Sequence, residues 1–305
     1  MKRHILLLVL SVFLLTGCAT VSPTETTGPT TLSTETTQET TPPSGWVTEA
    51  AQAFYVNQDG SRHTGWLELN DTRYYLDENG ILQTGWLELD GQTYYLKQDG
   101  SITRGEATVS DRTYFFTSSG AAITVVNPWN FVPSDYAPDL VDAEDGYVVD
   151  RSCRDSLLQM LADCRKAGHN PRITSAYRRH QTQIELYNNK VWYFMNQGYT
   201  EAAARKEAGT IVAVPGTSEH ELGLAVDLVD ANYWVLDEGQ EKMPAQKWLM
   251  EHCWEYGFIL RYPNEKSTAT GIIYEPWHYR YVGKELAQEL QTSSLCLEEY
   301  LNTLH

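Results

Sequence analysis

Four side chains in the C-terminal half of this 305-residue sequence have the types and spacing of a metal centre. His220 and Asp227 lie within Ser218-Glu219-His220-Glu221-Leu222-Gly223-Leu224-Ala225-Val226-Asp227, and His278 follows in Glu275-Pro276-Trp277-His278-Tyr279. Two imidazoles and a carboxylate, with a fourth position open to water, are the donor set of a catalytic zinc site rather than a structural one. Iron or cobalt would accept the same donors; geometry and availability favour one Zn2+ ion. Glu275 is the expected general base. A zinc ion would lower the pKa of its water towards ~7, and a neighbouring carboxylate would take the proton. On one straight strand His220 and Asp227 would face opposite ways, so Gly223 is the expected bend between them. Pro276 excludes an ordinary helix interior around Glu275. His63, His169, His180, His252 and His305 sit in no such motif and read as structural or surface residues.

The elements that must position these groups run from about residue 125 to 305. Asp150 to Gly168 carries Leu157, Leu158, Leu161 and Cys164 at helical spacing, and Gly168 ends the run. Arg172 to Tyr177 and Leu224 to Val229 predict strands. His180 to Gln197, Thr200 to Ala213 and Ala245 to Tyr256 predict helices. Phe258 to Tyr262 and Gly271 to Tyr274 predict further short strands. Helices and strands intermingle without a βαβ rhythm, so the expected class is α+β. Cys153 and Cys164 would stand ~16 Å apart on one helix, too far for a disulfide. Each must pair with Cys253 or Cys296, or remain a buried thiol; the sequence leaves both open.

At this point the motifs become those of a known group. S-x-H-x-x-G-x-A-x-D followed by E-P-W-H-x-x-Y resembles the VanY-type D-alanyl-D-alanine carboxypeptidases of the LAS zinc-peptidase group. Pro215-Gly216-Thr217-Ser218-Glu219-His220 matches their loop into the first ligand. Ser175-Ala176-Tyr177-Arg178, with Gln183 five residues on, resembles their S-G-Y-R-(x)4-Q segment, Ala176 replacing the usual Gly. Asn127 to Val141 resembles the segment by which those enzymes enter the domain. The resemblance implies His220, Asp227 and His278 as zinc ligands and Glu275 as base. It further implies Arg178, Ser218, Tyr177 and Gln183 as substrate contacts, with Arg178 sharing in catalysis. An arginine fork suits a terminal carboxylate and a developing oxyanion.

Upstream, residues 45–124 repeat every 20 residues. Gly45, Gly65, Gly85 and Gly105 keep the period; Trp46, Trp66 and Trp86 follow three of them, and Glu106 the fourth. Phe54-Tyr55, Tyr74-Tyr75, Tyr94-Tyr95 and Tyr114-Phe115 stay in register. Each unit reads as a hairpin that must stack on its neighbours to bury a face, giving a β-hairpin solenoid. The G-W-(x)7-8-Y-Y-(x)4-G pattern resembles the cell-wall-binding repeats of choline-binding proteins and glucan-binding enzymes. There an aromatic cage holds a quaternary ammonium group. The cage position before the aromatic pair holds Ala53, Arg73, Thr93 and Thr113 here, which leaves the cage incomplete. Trp46, Trp66, Trp86, Tyr55, Tyr75 and Tyr95 are the expected contacts to a wall glycan or teichoic acid, with the same aromatics as repeat core the competing reading.

The first 17 residues combine Lys2 and Arg3, an apolar run and small residues, the make-up of a secretory signal peptide. Leu15-Thr16-Gly17-Cys18 resembles the bacterial lipobox, implying cleavage before Cys18 and a lipid on its sulfur. Residues 18–44 form the anchor and a linker; positions 19–44 hold eleven Thr and four Pro, too polar to fold alone. With 23 basic and 40 acidic residues the net charge is −17, which excludes general nucleic-acid binding. It equally disfavours an anionic membrane surface, leaving the lipid anchor as the membrane contact.

The expectation is therefore an α+β zinc peptidase domain preceded by a β-hairpin repeat solenoid. It would be a monomer, lipid-anchored outside a bacterial membrane and associated with the wall. Its activity would be removal of the terminal D-Ala from peptidoglycan stem peptides. Competing expectations are an L,D-carboxypeptidase or endopeptidase on the same polymer, and a non-catalytic wall-binding lipoprotein.

Overall fold

The computed structural model describes residues 44–110, 112–132 and 136–304. Cys18, the expected signal peptide and residues 18–43 of the expected linker lie outside the described residues.

Four antiparallel hairpins begin the described chain: β1 (Gly45–Glu49) with β2 (Gln52–Val56), β3 (Gly65–Leu69) with β4 (Thr72–Leu76), β5 (Gly85–Leu89) with β6 (Gln92–Leu96), and β7 (Gly105–Val109) with β8 (Arg112–Phe116). A short β9 (Ala122–Ile123) pairs with β8. Asn70-Asp71 and Asp90-Gly91 both take positive φ, the two-residue turn whose twist matches paired strands. Ala50-Ala51 adopts the same turn without a residue suited to it, a local strain that hairpin pairing must overcome. Successive units are tied by Leu82 N to Ala53 O at 2.8 Å and Ile102 N to Arg73 O at 2.9 Å. One apolar side chain in each of the last three units, Leu76, Leu96 and Phe116, is fully buried. The stacking expected of the repeat thus supplies the face that a single hairpin lacks.

The catalytic-type region follows. β10 (Leu140–Asp142) and β11 (Val148–Asp150) form a small ribbon, and α1 (Arg151–Lys166) starts where the Asp150 side chain accepts from Ser152 N. Cys153, Leu157, Met160, Leu161 and Cys164 place one α1 face in the core. That face packs on β12 (Pro171–Ser175), β13 (Ala225–Asp230) and the helix α4 (Pro244–His252). Between β12 and β13 run α2 (His180–Asn196) and α3 (Glu201–Gly209). β14 (Phe258–Leu260), the single turn α5 (Ser267–Thr270), β15 (His278–Tyr281), α6 (Lys284–Ser293) and α7 (Leu297–Leu301) complete the chain.

The sheet order is β12-β13-β15-β14, all neighbours antiparallel. β13 is central and every residue in it is buried, Asp227 included. Register sets the chemistry: Asp227 stands opposite His278 on β15 and opposite Ser175 on β12. Directly opposed residues project from the same face of a sheet.

The outlines of α1, α2 and β13 agree with the sequence expectation. Three differences have physical causes. The helix expected over Thr200–Ala213 ends at Gly209: beyond it Thr210 N and Ile211 N turn to three-residue bonds with Glu207 O and Ala208 O, and Pro215 disfavours a helical residue before it. Gly271–Tyr274 is not a strand; it makes single bonds such as Ile273 N to Thr210 O, and the sheet position goes to β15. The four cysteines, all buried, carry no disulfide. Burial pushes the Cys153, Cys164 and Cys253 thiols up to about 12, so they behave as small apolar groups.

Gly223 is the bend the sequence called for. It caps the 3-10 turn Glu219–Leu222 at φ +75°, between His220 and the start of β13. A Cβ there would meet Asp150 N at 2.9 Å and Leu140 Cδ2 at 3.2 Å. Gly223→Ala is expected to cost about 1–3 kcal/mol of stability, through φ strain and this contact. Chemical denaturation of the metal-free chain measures it.

Candidate functional site

His220 leaves its 3-10 turn with Nδ1 2.7 Å from the Ala176 carbonyl. That bond fixes the ring and assigns the Nδ1 proton to Ala176, leaving Nε2 free. Nε2 lies 3.3 Å from Asp227 Oδ1. His278 Nδ1 lies 3.1 Å from the same oxygen. The other Asp227 oxygen, Oδ2, accepts from Arg178 Nη2 at 2.7 Å, and Arg178 Nε donates to Ser175 Oγ at 2.8 Å. One donor atom from each of His220, Asp227 and His278 lies within 4.8 Å of the others, all three residues being buried. Two nitrogens and one carboxylate oxygen converging in this way fit a tetrahedral zinc with one open position.

Electrostatics agree with a site built for a cation. Burial opposes ionisation of Asp227, yet His220, His278 and Arg178 outweigh it and hold the carboxyl well below its ordinary value. Burial and the Arg178 charge push His220 down to about 4, which favours the neutral imidazole that a metal requires. Burial disfavours the charged form of His278, but the neighbouring Asp227 and Glu219 carboxylates raise it to about 9 in the metal-free protein. Glu275 sits beside the triad, Oε2 3.8 Å from His278 Nδ1. Burial raises it most; His278 opposes the shift and Asp227 adds to it, for a value of about 8. A carboxyl pushed this far in a cleft is the mark of a functional acid or base.

These groups line a cavity of about 270 Å³ that also includes Arg178, Ser218, Tyr262 and Trp277. Its lining also includes the apolar Leu186, Ile211, Val212 and Ile272, together with Lys190. The site residues expected from the sequence therefore divide. His220, Asp227, His278, Glu275, Arg178 and Ser218 meet in the cavity. Gln183 does not face it: fully buried, it secures the Ala213 end of the cavity wall. Tyr177 lies outside the lining and is tied through its backbone to Val148 O. Tyr262, tilted against the His278 ring at a centroid distance of 4.8 Å, was missed. The sequence places it at the end of the expected strand Phe258 to Tyr262, with no motif to mark it as a site residue. In the sequence Glu219 is only a rival base beside His220, and Arg261 falls inside an expected strand; their pairing appears only when distant partners are seen.

In the repeats, each tryptophan bridges two units. Trp46 meets Tyr55 and Tyr74, Trp66 meets Tyr75 and Tyr94, and Trp86 meets Tyr95 and Tyr114, all edge-on at 4.9–5.4 Å. Trp46 and Trp86 remain 41% and 45% exposed, so they are more than core. Trp66 is covered by the Arg73 guanidinium, 4.3 Å from its ring centroid. At that repeat the chain's own cation takes the cation–π position.

An antiparallel sheet that gathers a His/Asp/His triad and a buried glutamate in one small cavity defines a metallopeptidase site. Residues 147–284 match the family model of D-alanyl-D-alanine carboxypeptidase, VanY. Residues 64–82 and 84–102 match the putative cell wall binding repeat. A D-alanyl-D-alanine carboxypeptidase of Enterococcus faecalis is 42% identical over 182 residues, covering 60% of this chain and 66% of that protein, just under two thirds. The vancomycin-resistance D,D-pentapeptidase VanY, solved with Zn(II) as a glutamate-to-alanine variant, is 40% identical over 58% of this chain and 97% of its own, TM-score 0.54. VanYB in complex with D-alanine-D-alanine is 42% identical over 60% and 98%, TM-score 0.55. The chain belongs to the VanY D-alanyl-D-alanine carboxypeptidase family and carries cell-wall-binding repeats before that domain.

The Glu275 shift has a consequence for the metal-free protein. A carboxyl raised from 4.5 to about 8 on folding binds its proton more tightly in the folded state. Its contribution to stability is present below ~4.5 and lost as pH rises through ~8. Glu275→Gln removes the ionisation. Metal-free Glu275→Gln is expected to be more stable than wild type at pH 8, by roughly 1–3 kcal/mol, with the gap closing towards pH 4.5. Denaturation curves across pH, in chelator, measure the difference.

Proposed function

We propose that this protein is a zinc D-alanyl-D-alanine carboxypeptidase that trims peptidoglycan stem peptides and is held at the wall by its repeats. The observation that carries the proposal is the buried His220–Asp227–His278 triad with Glu275 in the same cavity. The relatives named above, one holding Zn(II) and another D-alanine-D-alanine, support the metal and the substrate class.

A zinc ion bound there supplies Lewis acidity at the scissile carbonyl, acidifies the attacking water towards ~7, and offsets the burial that keeps Glu275 protonated. The Glu275 carboxylate accepts a proton from the water as its oxygen attacks the carbonyl carbon. The C–N bond then breaks, and Glu275 returns the proton to the departing amine of D-Ala. Arg178, held by Asp227 and Ser175, keeps positive charge on the cavity wall, where it orients the peptide's terminal carboxylate. Ser218 is 3% exposed and lines the same cavity, in reach of the peptide end. The apolar wall and small volume suit a methyl side chain.

Outside the cavity, the exposed Trp46 and Trp86 with their tyrosines are the surfaces for wall glycan or teichoic acid. Ligand contact at Trp66 requires displacement of Arg73. Cys18 as a lipid attachment site, residues 18–44 as tether, and residues 45–124 and 125–305 as the binding and catalytic domains complete the assignment. The place of action is the outer face of a bacterial membrane, and the active species is a monomer.

Incubating the chain with stem peptides of four and five residues, and weighing the released amino acid, tests the activity. Release of D-Ala from the pentapeptide alone is expected; release from the tetrapeptide alone would move the assignment to L,D chemistry. Glu275→Gln is expected to lower kcat ~10²–10⁴-fold while retaining zinc. Full activity of that variant would sink the proposed mechanism. The double change Trp46→Ala and Trp86→Ala is expected to reduce retention on isolated walls and leave peptide hydrolysis in solution intact.

A further inference from the structure

The buried charges behind the metal triad have no part in the mechanism above, and they are arranged around one residue. Glu219 precedes the ligand His220 in its 3-10 turn and is 1% exposed. Its Oε1 accepts from Arg261 Nε at 2.7 Å and lies 3.0 Å from Arg280 Nη1. Arg261 in turn is paired with Glu298, which also accepts from Asn127 Nδ2 at 3.0 Å. Arg280 donates to the Tyr281 and Thr124 carbonyls at 2.8 Å each, the latter between β9 and the peptidase region. All of this engages one oxygen of Glu219. The other, Oε2, faces His278 Nε2 at 3.5 Å. Among the described residues both of those atoms are buried and lack a hydrogen-bond partner.

We propose that Glu219 is a positioning residue for the metal centre: it accepts the Nε2 proton of His278 and so keeps Nδ1 free to bind the ion. This rests on the zinc reading above and concerns how that site is held. His278 presents Nδ1 to Asp227 and the triad. A neutral imidazole carries one proton, so an Nδ1 ligand needs that proton on Nε2 and an acceptor beside it. Glu219 Oε2 is the group that faces it. The ring cannot turn away easily, since Tyr262 lies against it at 4.8 Å and His220 edge-on at 4.9 Å.

The two arginines explain why a carboxylate is required. Arg261 Nε donates to Oε1, and Arg280 Nη1 stands 3.0 Å from the same oxygen as an ion pair without a hydrogen bond. In a glutamine at position 219 the carbonyl oxygen must take that side, which turns the NH2 group towards His278. Two donors would then face each other unless the His278 proton moved to Nδ1, the atom needed by the metal. Glu219→Gln therefore selects the wrong tautomer, besides removing a charge. Glu298 provides the control. It lies in the same buried cluster and pairs with Arg261, but it does not face His278.

The test measures zinc affinity of the full chain by chelator competition, together with the melting temperature of the metal-free form. Wild type, Glu219→Gln and Glu298→Gln are compared. Both variants are expected to lower the metal-free melting temperature, since both unbalance the arginines. Glu219→Gln alone is expected to weaken zinc binding, by ~10–100-fold. Should Glu219→Gln not fold, Glu219→Asp keeps the charge with a shorter reach, and an intermediate loss of affinity is expected. Zinc affinity of the folded Glu219 variant within twofold of wild type would overturn the assignment. So would an equal loss in Glu298→Gln, which would make the effect one of stability alone. A wild-type chain that takes up no zinc would overturn the metal reading itself together with this one.

Discussion

An ionised carboxylate in the middle of the central strand governs this structure. Asp227 is 2% exposed, and an unpaired charge in such a place would be prohibitive. It is tolerated because four elements converge on it. His220 arrives from the 3-10 turn, His278 from the adjacent strand, Arg178 from the segment after β12, and Ser175 from β12 itself, through Arg178. Take away this convergence and neither the strand order β12-β13-β15 nor the left-handed Gly223 has a reason to be kept. The two imidazoles that help offset this buried charge in the metal-free fold are, with Asp227, also the group that could hold a cation.

A second buried charge sits behind the first. Glu219 is compensated by Arg261 and Arg280, and Glu298 compensates Arg261 in turn. Buried ion pairs of this kind add little net stability, since desolvation offsets most of the attraction. Their effect is to allow few alternative arrangements. Here the cluster links α7, the chain just after β9, and the ring of His278. The Arg280 side chain, two residues beyond His278 on the same sheet face, carries that link from the site to Thr124. The repeats dock nearby, through Ser118 Oγ to Glu289 Oε1 at 2.6 Å and Glu106 N to Leu304 O at 3.3 Å.

The repeats and the peptidase region use aromatic residues in different ways. Between hairpins, edge-on Trp–Tyr contacts hold the stack while leaving tryptophan faces towards solvent. In the peptidase region Tyr279 is fully buried and its hydroxyl donates to Gln246, so it serves packing. Tyr262 is also buried, and its ring lies tilted against that of His278.

The grouping of His220, Asp227, His278 and Glu275, the repeat period and the α+β class were all legible in the sequence, because each is carried by local pattern. Motif spacing, 20-residue periodicity and helical apolar stripes survive in one dimension. The glycine bend was legible too, since a seven-residue separation on a straight strand cannot bring two ligands to one point. What the sequence did not determine was pairing at a distance. The β15 strand was overlooked because Arg280 interrupts its apolar character, and its burial makes sense only with Glu219 and Thr124 beside it. Gln183 looked like a substrate contact until α2 turned it into the core. The free state of the cysteines and the cover that Arg73 lays over Trp66 were likewise decided by packing. Charge and hydrogen-bond capacity are properties of a residue; whether they meet solvent, substrate or a buried partner depends on which distant element arrives next to them.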